Sequence, residues 1–292
     1  MCRLKPFWVF LLMVLGAFTL LLPAQQPVLA RGQLLFCNRP EKITASGTHA
    51  DAMLRAGKSY TIFFHYKNTT SHRDNLVIAL SGDSGTPLSF TARRGFGDAQ
   101  RDPTLAGRQA MARYLSAPDL AYRGKKGAAH FAVSLGSREI GSGLMTVTAT
   151  TDARLRIYWR HNKWSVRGAR VVAVDSPRRQ VEVALTKGRS GSYRIGVPDA
   201  GMSRYLDGTY GMLYSFKVAA PKGSRVRVSF CPRGGKAGMV GSVNGSLHQS
   251  RIIGATKWTV LCETVVGSDG LTLTTAPFGG VFYPVELAFR II

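Results

Sequence analysis

Two stretches of strict alternation between apolar and polar side chains constrain the fold of this chain most strongly. One parity of the segment 208–218 carries the apolar side chains Tyr210, Met212, Tyr214, Phe216 and Val218. The other parity is small or charged, with Leu213 as its one large apolar exception. After a turn at Pro221 and Gly223 the alternation resumes, with Arg225 and Arg227 on the polar side. A period of two is typical of a half-buried strand, so the pattern predicts a hairpin with one apolar and one basic face.

The same pattern occurs 150 positions earlier, without a gap. The matched positions are Tyr60 with Tyr210, Ile62 with Met212, Phe64 with Tyr214, Tyr66 with Phe216, Leu76 with Val226, Ile78 with Val228 and Leu80 with Phe230. An internal repeat and the convergence of two hairpins on a common pattern both account for the match. Either way, the chain is predicted to contain two similar β-units in tandem.

The rest of the chain continues in short apolar segments separated by Gly-rich turns, which argues for antiparallel sandwiches or barrels. The prediction is an all-β chain of two tandem antiparallel β-sandwich-like domains, residues 31–160 and 161–292. Residues 31–56 are expected to be a polar lead-in with a first strand at 33–37. Residues 188–193 are expected to form a Gly/Ser turn.

One short helix is predicted in the first domain, over residues 103–116. Asp102 is a good N-cap, Pro103 suits the first helical position, and Pro118 follows the end. Gly95-Phe-Gly97 just before it lacks the third glycine of a dinucleotide-binding loop and is predicted to be a turn.

Residues 1–30 are predicted to be a signal peptide. Arg3 and Lys5 precede an apolar run of 16 residues at 7–22, and Val28-Leu29-Ala30 offers small side chains for cleavage after Ala30. The run is short for a membrane span of about 20 residues, although an uncleaved anchor is the alternative. The mature protein is therefore expected to be secreted or periplasmic, in the cell envelope.

The segment Gly208-Thr-Tyr-Gly211 with its following strand resembles the exported cyanobacterial family filed as domain of unknown function 3370. There too a Gly-x-Tyr-Gly segment opens an alternating strand in the C-terminal half, and a helix like that at 107–115 follows an N-terminal β-unit. This chain is more basic and more compact than the family pattern. The resemblance implies an exported location and brings no established activity.

Export would permit a disulfide bond among the three cysteines of the mature chain. Cys231 and Cys262 both end predicted strands in the second domain, so they are the preferred pair. Cys37 would then be free or would pair with another chain. Three reduced thiols are the alternative.

The charge imbalance gives the strongest functional hint, because 39 Lys and Arg face 16 Asp and Glu, a net charge of +23. Residues 154–170 hold six cations and no acid. The predicted binding residues are Arg154, Arg156, Arg160, Lys163, Arg167 and Arg170, with Trp159 beside them. Strand parity should bring Arg154, Arg156 and Arg160 onto one solvent face, where guanidinium groups bind sulfate, phosphate or carboxylate in two-pronged fashion. A solvated basic surface is the alternative.

Catalytic signatures of the common hydrolases and nucleotide-binding enzymes are absent from the sequence. Asp98 and Asp102 are four positions apart, which would suit a carboxylate pair, but Asp102 is better explained as the helix cap. No metal or cofactor is expected, and nucleic acid is not an expected partner because no nucleic-acid motif is present. The sequence therefore favours a non-catalytic envelope protein, structural or binding a polyanion or polysaccharide. A secreted polysaccharide-active hydrolase with carboxylates dispersed over a sandwich face is the alternative.

Overall fold

The computed structural model describes residues 28–29, 34–37, 41–44, 46–82, 87–124, 127–159, 178–197 and 208–292. It is built from strands and one helix, which confirms the predicted all-β, sandwich-like fold class. The strands before residue 160 are β1 (Val28–Leu29), β2 (Leu34–Cys37), β3 (Lys42–Ile43), β4 (Gly47–Leu54), β5 (Ser59–Asn68), β6 (Asp74–Ser81), β7 (Leu88–Phe96), β8 (Leu120–Gly124), β9 (Ala128–Leu135), β10 (Ile140–Ala149) and β11 (Ala153–Trp159). Helix α1 (Pro103–Ser116) lies between β7 and β8. The later strands are β12 (Arg178–Ala184), β13 (Ser190–Ile195), β14 (Leu213–Ala219), β15 (Arg225–Pro232), β16 (Val240–Val243), β17 (Ser246–Gln249), β18 (Thr259–Val265), β19 (Leu271–Thr275) and β20 (Val285–Ile291).

The strands form four sheets, two in each half of the chain. Sheet A has the order β1-β4-β11-β6-β9, and sheet B has the order β2-β5-β10-β7-β8 with β3 also beside β5. Sheet C has the order β12-β14-β19-β16-β17, and sheet D has the order β13-β20-β15-β18. In each half, eight antiparallel strands wind between two sheets as a jelly roll. Sheets A and B form the N-terminal unit, and sheets C and D form the C-terminal unit.

The two units repeat one topology. Strands β4 to β11 and β13 to β20 occupy the same places in the same chain order, and β2 and β12 are the parallel neighbours of β5 and β14. The 150-residue offset therefore joins equivalent strands, β5 with β14 and β6 with β15. Convergence of two isolated hairpins does not account for nine strands in matching order.

The two predicted hairpins are wrong in detail, because their strands do not pair. Strand β5 lies in sheet B and β6 in sheet A, and β14 and β15 are likewise divided between sheets C and D. Each predicted hairpin is an arch from one sheet of a sandwich to the other. The two strands of each arch bury their apolar side chains in the same core. Their sequences therefore alternate in the same way as those of a hairpin.

Two of the strands that were not predicted from the sequence, β4 and β13, complete the sandwiches. Strand β4 was expected to be part of the polar lead-in, and most of β13 fell within the predicted turn 188–193. Both are rich in Gly, Ser, Ala or His, which are weak strand formers. Their pairing partners β11 and β20 lie about a hundred residues further along the chain, out of reach of local pattern analysis.

Helix α1 has the predicted bounds and the predicted cap. The Asp102 carboxylate accepts hydrogen bonds from the backbone N–H groups of Thr104 and Leu105, at 2.8 and 3.2 Å. Gly95 and Gly97 are not a turn: Gly95 lies in β7 and Gly97 directly follows it. A Cβ atom on Gly95 would stand 2.1 Å from the Tyr114 nitrogen, so the glycine lets α1 lie on the strand backbone.

Helix α1 and the outer face of sheet B contact the C-terminal unit. A Cβ atom on Gly107 would stand 2.0 Å from the carbonyl oxygen of Gly279. The Thr104 hydroxyl donates a hydrogen bond of 2.7 Å to the Gly280 carbonyl. Backbone therefore packs on backbone here, and the helix holds the two units together.

The Gly-x-Tyr-Gly segment lies at this joint between the units. The Tyr210 ring stacks 6.0 Å from the Phe63 ring, measured between centroids, and its hydroxyl donates to the Val281 carbonyl at 2.7 Å. The side chain of Phe63 packs against Gly211. Apolar residues of sheet B thus belong to the same buried cluster as the core of the C-terminal unit, among them Leu34 and Leu144.

Among the described residues, every strand pairing joins two strands of the same unit. The predicted boundary between residues 160 and 161 lies outside the described residues and stays a prediction. No helix in the described ranges combines the length and the apolar character needed to span a bilayer. Val28 and Leu29 pair in parallel with Ala52 and Met53, just before the predicted cleavage point.

The structure corrects the predicted disulfide bond, because Cys231 and Cys262 are both free thiols, as is Cys37. Cys262 lies directly opposite Val228, so it shares the core-facing side of sheet D. Cys231 is three residues beyond Val228 on the same strand and therefore has the opposite parity. The two thiols lie on opposite faces of one sheet, which rules out a bridge.

Candidate functional site

The predicted binding segment begins on strand β11, in the middle of sheet A. Arg154 and Arg156 lie on the outer face of the sheet and are half-buried, whereas Leu155 and Ile157 lie in the core. The predicted parity of the two arginines is therefore correct. Arg160, Lys163, Arg167 and Arg170 lie outside the described residues.

Trp159 is a correction to the predicted site. It has the core-facing parity of β11 and is only 2% exposed, in the same buried cluster as Leu155. A ring inside the sandwich cannot stack on a ligand at the outer face. Clustering in sequence placed it beside the arginines, but alternation along the strand separates them.

Arg154 is paired with a carboxylate that local sequence did not reveal. Its Nε and Nη2 atoms donate to the two carboxylate oxygens of Asp51, at 2.7 and 2.5 Å. Asp51 lies on β4 directly opposite Arg156. The hydrogen bonds that Arg154 donates to Asp51 raise the pKa of the Arg154 guanidinium above its ordinary value. The segment 154–170 contains no acid, but in the folded protein Asp51 of another strand lies against it.

A larger basic surface covers the outer face of sheet D, the sheet of the C-terminal unit that corresponds to sheet A. We call it the sheet D face; its charged residues are Arg194, Arg225, Arg227, Arg233, Arg290, Glu263 and Glu286. Alternation sends their neighbours Val226, Val228 and Leu287 into the core. Five guanidinium groups and two carboxylates leave this face with a net positive charge.

Each glutamate of the sheet D face holds two arginines. Glu263 lies 2.9 Å from Arg225 and accepts a 2.8 Å hydrogen bond from Arg227. Glu286 pairs in the same way with Arg233 and Arg194, at 2.8 and 3.9 Å. The glutamate side chains are 26% and 20% exposed, less than those of their arginine partners, so the guanidinium groups lie further out. Each carboxylate orients two cations while leaving N–H groups directed towards solvent.

Arg227 and Arg290 lie directly opposite each other on the neighbouring antiparallel strands β15 and β20. Residues in this position have Cα atoms about 5 Å apart, and like charges there are destabilising. Glu263 compensates Arg227, but the pair still carries an excess positive charge. An anion bound between the two side chains would relieve the repulsion.

Only part of this surface could be predicted from the sequence. Parity indicated a basic face for Arg225 and Arg227, but Arg194 directly follows the predicted turn 188–193, and Arg290 and Arg233 stand apart from any cluster. The five cations come from three strands and one loop spread over about a hundred residues. Strand order, which sequence alone does not give, brings them together.

The described carboxylates mostly serve as ion-pair partners. Asp98 binds Arg113 at 2.7 Å, and this hydrogen bond lowers the pKa of the Asp98 carboxyl. A cleft of about 490 Å³ does bring Glu182 and Asp269 together beside Lys217, but both acids are exposed. Within the described part of the chain, no three His, Cys, Asp or Glu side chains group closely enough to hold a metal.

No protein-family model and no curated protein matches the chain. Among solved structures, BuGH86 in complex with neoagarooctaose is similar at 12% identity and a TM-score of 0.13, over 82% of this chain and 31% of that chain. A variant of BuGH86 with the same ligand is similar at 11% identity and a TM-score of 0.13, over 80% of this chain and 33% of that chain. The chain spans about a third of the length of these two proteins. A likeness this weak carries no argument about fold or function.

Proposed function

We propose that this is an exported, non-catalytic cell-envelope protein that binds anionic polysaccharide through the sheet D face. The observation that carries the proposal is the arrangement of four arginines around two less exposed glutamates, with Arg290 as a fifth arginine on the same face of the sheet. Positions two apart on a strand are separated by roughly 6.6–7 Å, and neighbouring strands by about 4.8 Å. The face therefore offers cations at intervals that suit the repeated charges of a linear polyanion.

The guanidinium groups fit this ligand chemically. Carboxylate and sulfate groups accept the parallel N–H bonds of a guanidinium fork, and such charge-assisted bonds are stronger than neutral ones. The ion pairs with Glu263 and Glu286 restrict the arginines before binding, so less side-chain entropy is lost when the ligand arrives.

The predicted segment 154–170 is a second part of the proposal. Arg154 and Arg156 lie on the outer face of sheet A, which is equivalent in the repeat to sheet D. Because Asp51 neutralises part of this face, we assign it the weaker contribution. Arg160, Lys163, Arg167 and Arg170 are retained as proposed contacts on the strength of the sequence.

The proposed location rests on the N-terminal leader with cleavage after Ala30 and on the resemblance to the exported family. The hydrolase alternative has less support, because the described carboxylates are mostly engaged by arginines. Glu182 and Asp269 line one cleft with Lys217, but both acids are exposed rather than set in the apolar surroundings typical of a general acid.

The test replaces Arg227 and Arg290 together by Gln and measures binding of dextran sulfate by calorimetry. We expect the affinity of the double variant to fall about tenfold at low salt, and the wild-type affinity to fall as salt screens exposed charges. The matched control is Arg101→Gln with Arg123→Gln, which removes the same charge from the N-terminal unit. Equal losses in both double variants, or no wild-type binding at low salt, would contradict the proposal. Release of reducing ends from polysaccharide would favour the hydrolase.

A further inference from the structure

One large aromatic side chain stands exposed beside the cations of the sheet D face. Trp258 directly precedes β18 and is 49% exposed. The next residue, Thr259, is opposite Phe230, and this is the last pair of residues between β15 and β18. The guanidinium carbon of Arg233 lies 5.7 Å from the centroid of the Trp258 ring.

The Arg233 guanidinium and the backbone around Trp258 are held in place by surrounding contacts. Glu286 accepts a 2.8 Å hydrogen bond from Arg233 Nε. The backbone N–H groups of Arg233 and Gly234 both donate to the Pro284 carbonyl, at 2.9 and 3.1 Å. Thr256, two residues before Trp258, donates to the Pro232 carbonyl at 2.8 Å. These hydrogen bonds fix the loop that begins at Arg233 and the backbone before Trp258. The guanidinium group and the ring are therefore presented together.

Further cations and a second exposed ring lie on or against the segments that carry Trp258 and Arg233. Lys257 is its neighbour in sequence, and Lys236 lies in the same loop as Arg233; both are exposed. Phe282 is 55% exposed and packs against Gly235, and its N–H donates to the Lys236 carbonyl at 3.2 Å. The loop 233–236 thus lies between two exposed aromatic side chains.

We propose that Trp258 and Arg233 form a subsite for one acidic sugar ring, a uronic-acid residue of the bound polymer; this inference rests on the proposed function. The C–H face of a pyranose ring is apolar and packs on the indole face, which removes apolar surface of both from water. Arg233, whose guanidinium lies over the indole, then pairs with the sugar carboxylate at the edge of the stack, and Lys236 and Lys257 are available to neighbouring carboxylates of the polymer. The subsite makes the protein select acidic polysaccharides over polyanions that contain no sugar.

A protein partner fits this surface less well. The centres of protein–protein interfaces are depleted in lysine, whereas the two segments that carry Arg233 and Trp258 also carry the exposed Lys236 and Lys257. The exposed rings of Trp258 and Phe282 also stand among cations, whereas a protein-binding surface is marked by a broad apolar patch.

The test compares Trp258→Ala with wild type for binding of polygalacturonate and of inorganic polyphosphate with the same charge per chain. We expect the variant to lose roughly tenfold in affinity for polygalacturonate and nothing for polyphosphate, because only the sugar offers a face to stack. Leu247→Ala, which truncates an exposed apolar residue on β17, is the matched control and should leave both affinities unchanged. Indole fluorescence should shift when polygalacturonate is added to wild type, and this shift should be absent from the variant.

The outcomes separate the subsite from the proposed function. Equal loss for both polymers, or loss for neither, would overturn the subsite and leave polyanion binding intact. Absence of binding of either polymer to wild type would overturn both. A change of oligomeric state in Trp258→Ala, seen by size exclusion, would assign the ring to a contact between copies and overturn the subsite.

Discussion

The guanidinium group of Arg154 and the carboxylate of Asp51 form a two-pronged ion pair across 103 positions of sequence. The pair joins β11 to β4 on the outer face of sheet A. Asp51 is 14% exposed at its side chain and Arg154 is 37% exposed, so the contact is only partly shielded from water. It joins β11, which was predicted from the sequence, to β4, which was not.

Replacing Asp51 by Asn should weaken the fold slightly and strengthen anion binding at sheet A. We expect the free energy of unfolding to fall by about 1 kcal/mol, because a two-pronged pair is lost but water already screens Arg154. Affinity for dextran sulfate at low salt should rise, since a carboxylate opposite Arg156 is removed. Urea unfolding and calorimetry check both. Asp119→Asn, which breaks the more exposed pair with Arg93, should change neither quantity appreciably; an equal rise in affinity there would show that only net charge matters.

Replacing Gly107 by Ala should destabilise the protein although alanine is the better helix former. The new Cβ atom would stand 2.0 Å from the Gly279 carbonyl oxygen, and backbone on both sides cannot move without shifting the helix. We expect a loss of about 2 kcal/mol or more, against a gain in helix propensity of up to about 1 kcal/mol. Gly254→Ala is the control, because a Cβ atom there meets nothing within 4 Å. Equal melting temperatures for the two variants would refute the close contact.

The three thiols should be unreactive in the folded protein at pH 8 and all reactive after denaturation. Burial raises the pKa of the Cys37 thiol to about 12 and that of Cys262 to about 11, and burial also raises the pKa of Cys231. At pH 8 the thiolate that attacks a reagent is therefore scarce. Titration with a thiol reagent in the presence and absence of guanidinium chloride measures this. A disulfide-linked peptide containing Cys231 and Cys262 would contradict the free thiols.

Acid should destabilise the protein between pH 6.5 and 4, through two buried histidines. Burial lowers the pKa of His49 and of His65 to about 4 from an ordinary value of 6.5. In that window the unfolded chain binds protons that the folded chain does not, so stability is complete above pH 6.5 and is lost as the pH falls. The loss at pH 5 should be on the order of 2 kcal/mol per histidine.

His65 lies at the joint between the units, packed against Gly279, which makes it the informative variant. In His65→Gln the difference in unfolding free energy between pH 7 and pH 5 should shrink, whatever the stability of the variant at pH 7. His130→Gln, at an exposed position, should keep the wild-type difference. The pKa values of the Asp98 and Asp152 carboxyls are lowered by hydrogen bonding, so their contribution is lost only below about pH 4, outside this window. An unchanged slope in His65→Gln would refute the assignment.

The sequence by itself determined which side chains of a strand share a face, where the helix begins and ends, and that the chain contains two similar units. Alternation at Tyr60 and at Tyr210 fixes the buried parity, because successive side chains point to opposite faces of any strand. Asp102 and Pro103 fix the helix start through local hydrogen bonding and backbone geometry. These signals depend only on neighbours in the chain.

Only the tertiary structure decided which sheet each strand joins and which charges meet. Two strands joined by an arch bury the same parity as the two strands of a hairpin. Alternation at Tyr60 and Leu76 therefore could not show whether the two strands pair in one sheet or pack against each other across the core. Strand β4 is too polar to be recognised alone and is stabilised by β11, which follows about a hundred residues later. The pairing of Arg154 with Asp51, and the assembly of Arg194, Arg227 and Arg290 on one face, depend on contacts between strands distant in sequence. Such contacts form from strand order and register, which leave no local trace in the amino-acid sequence.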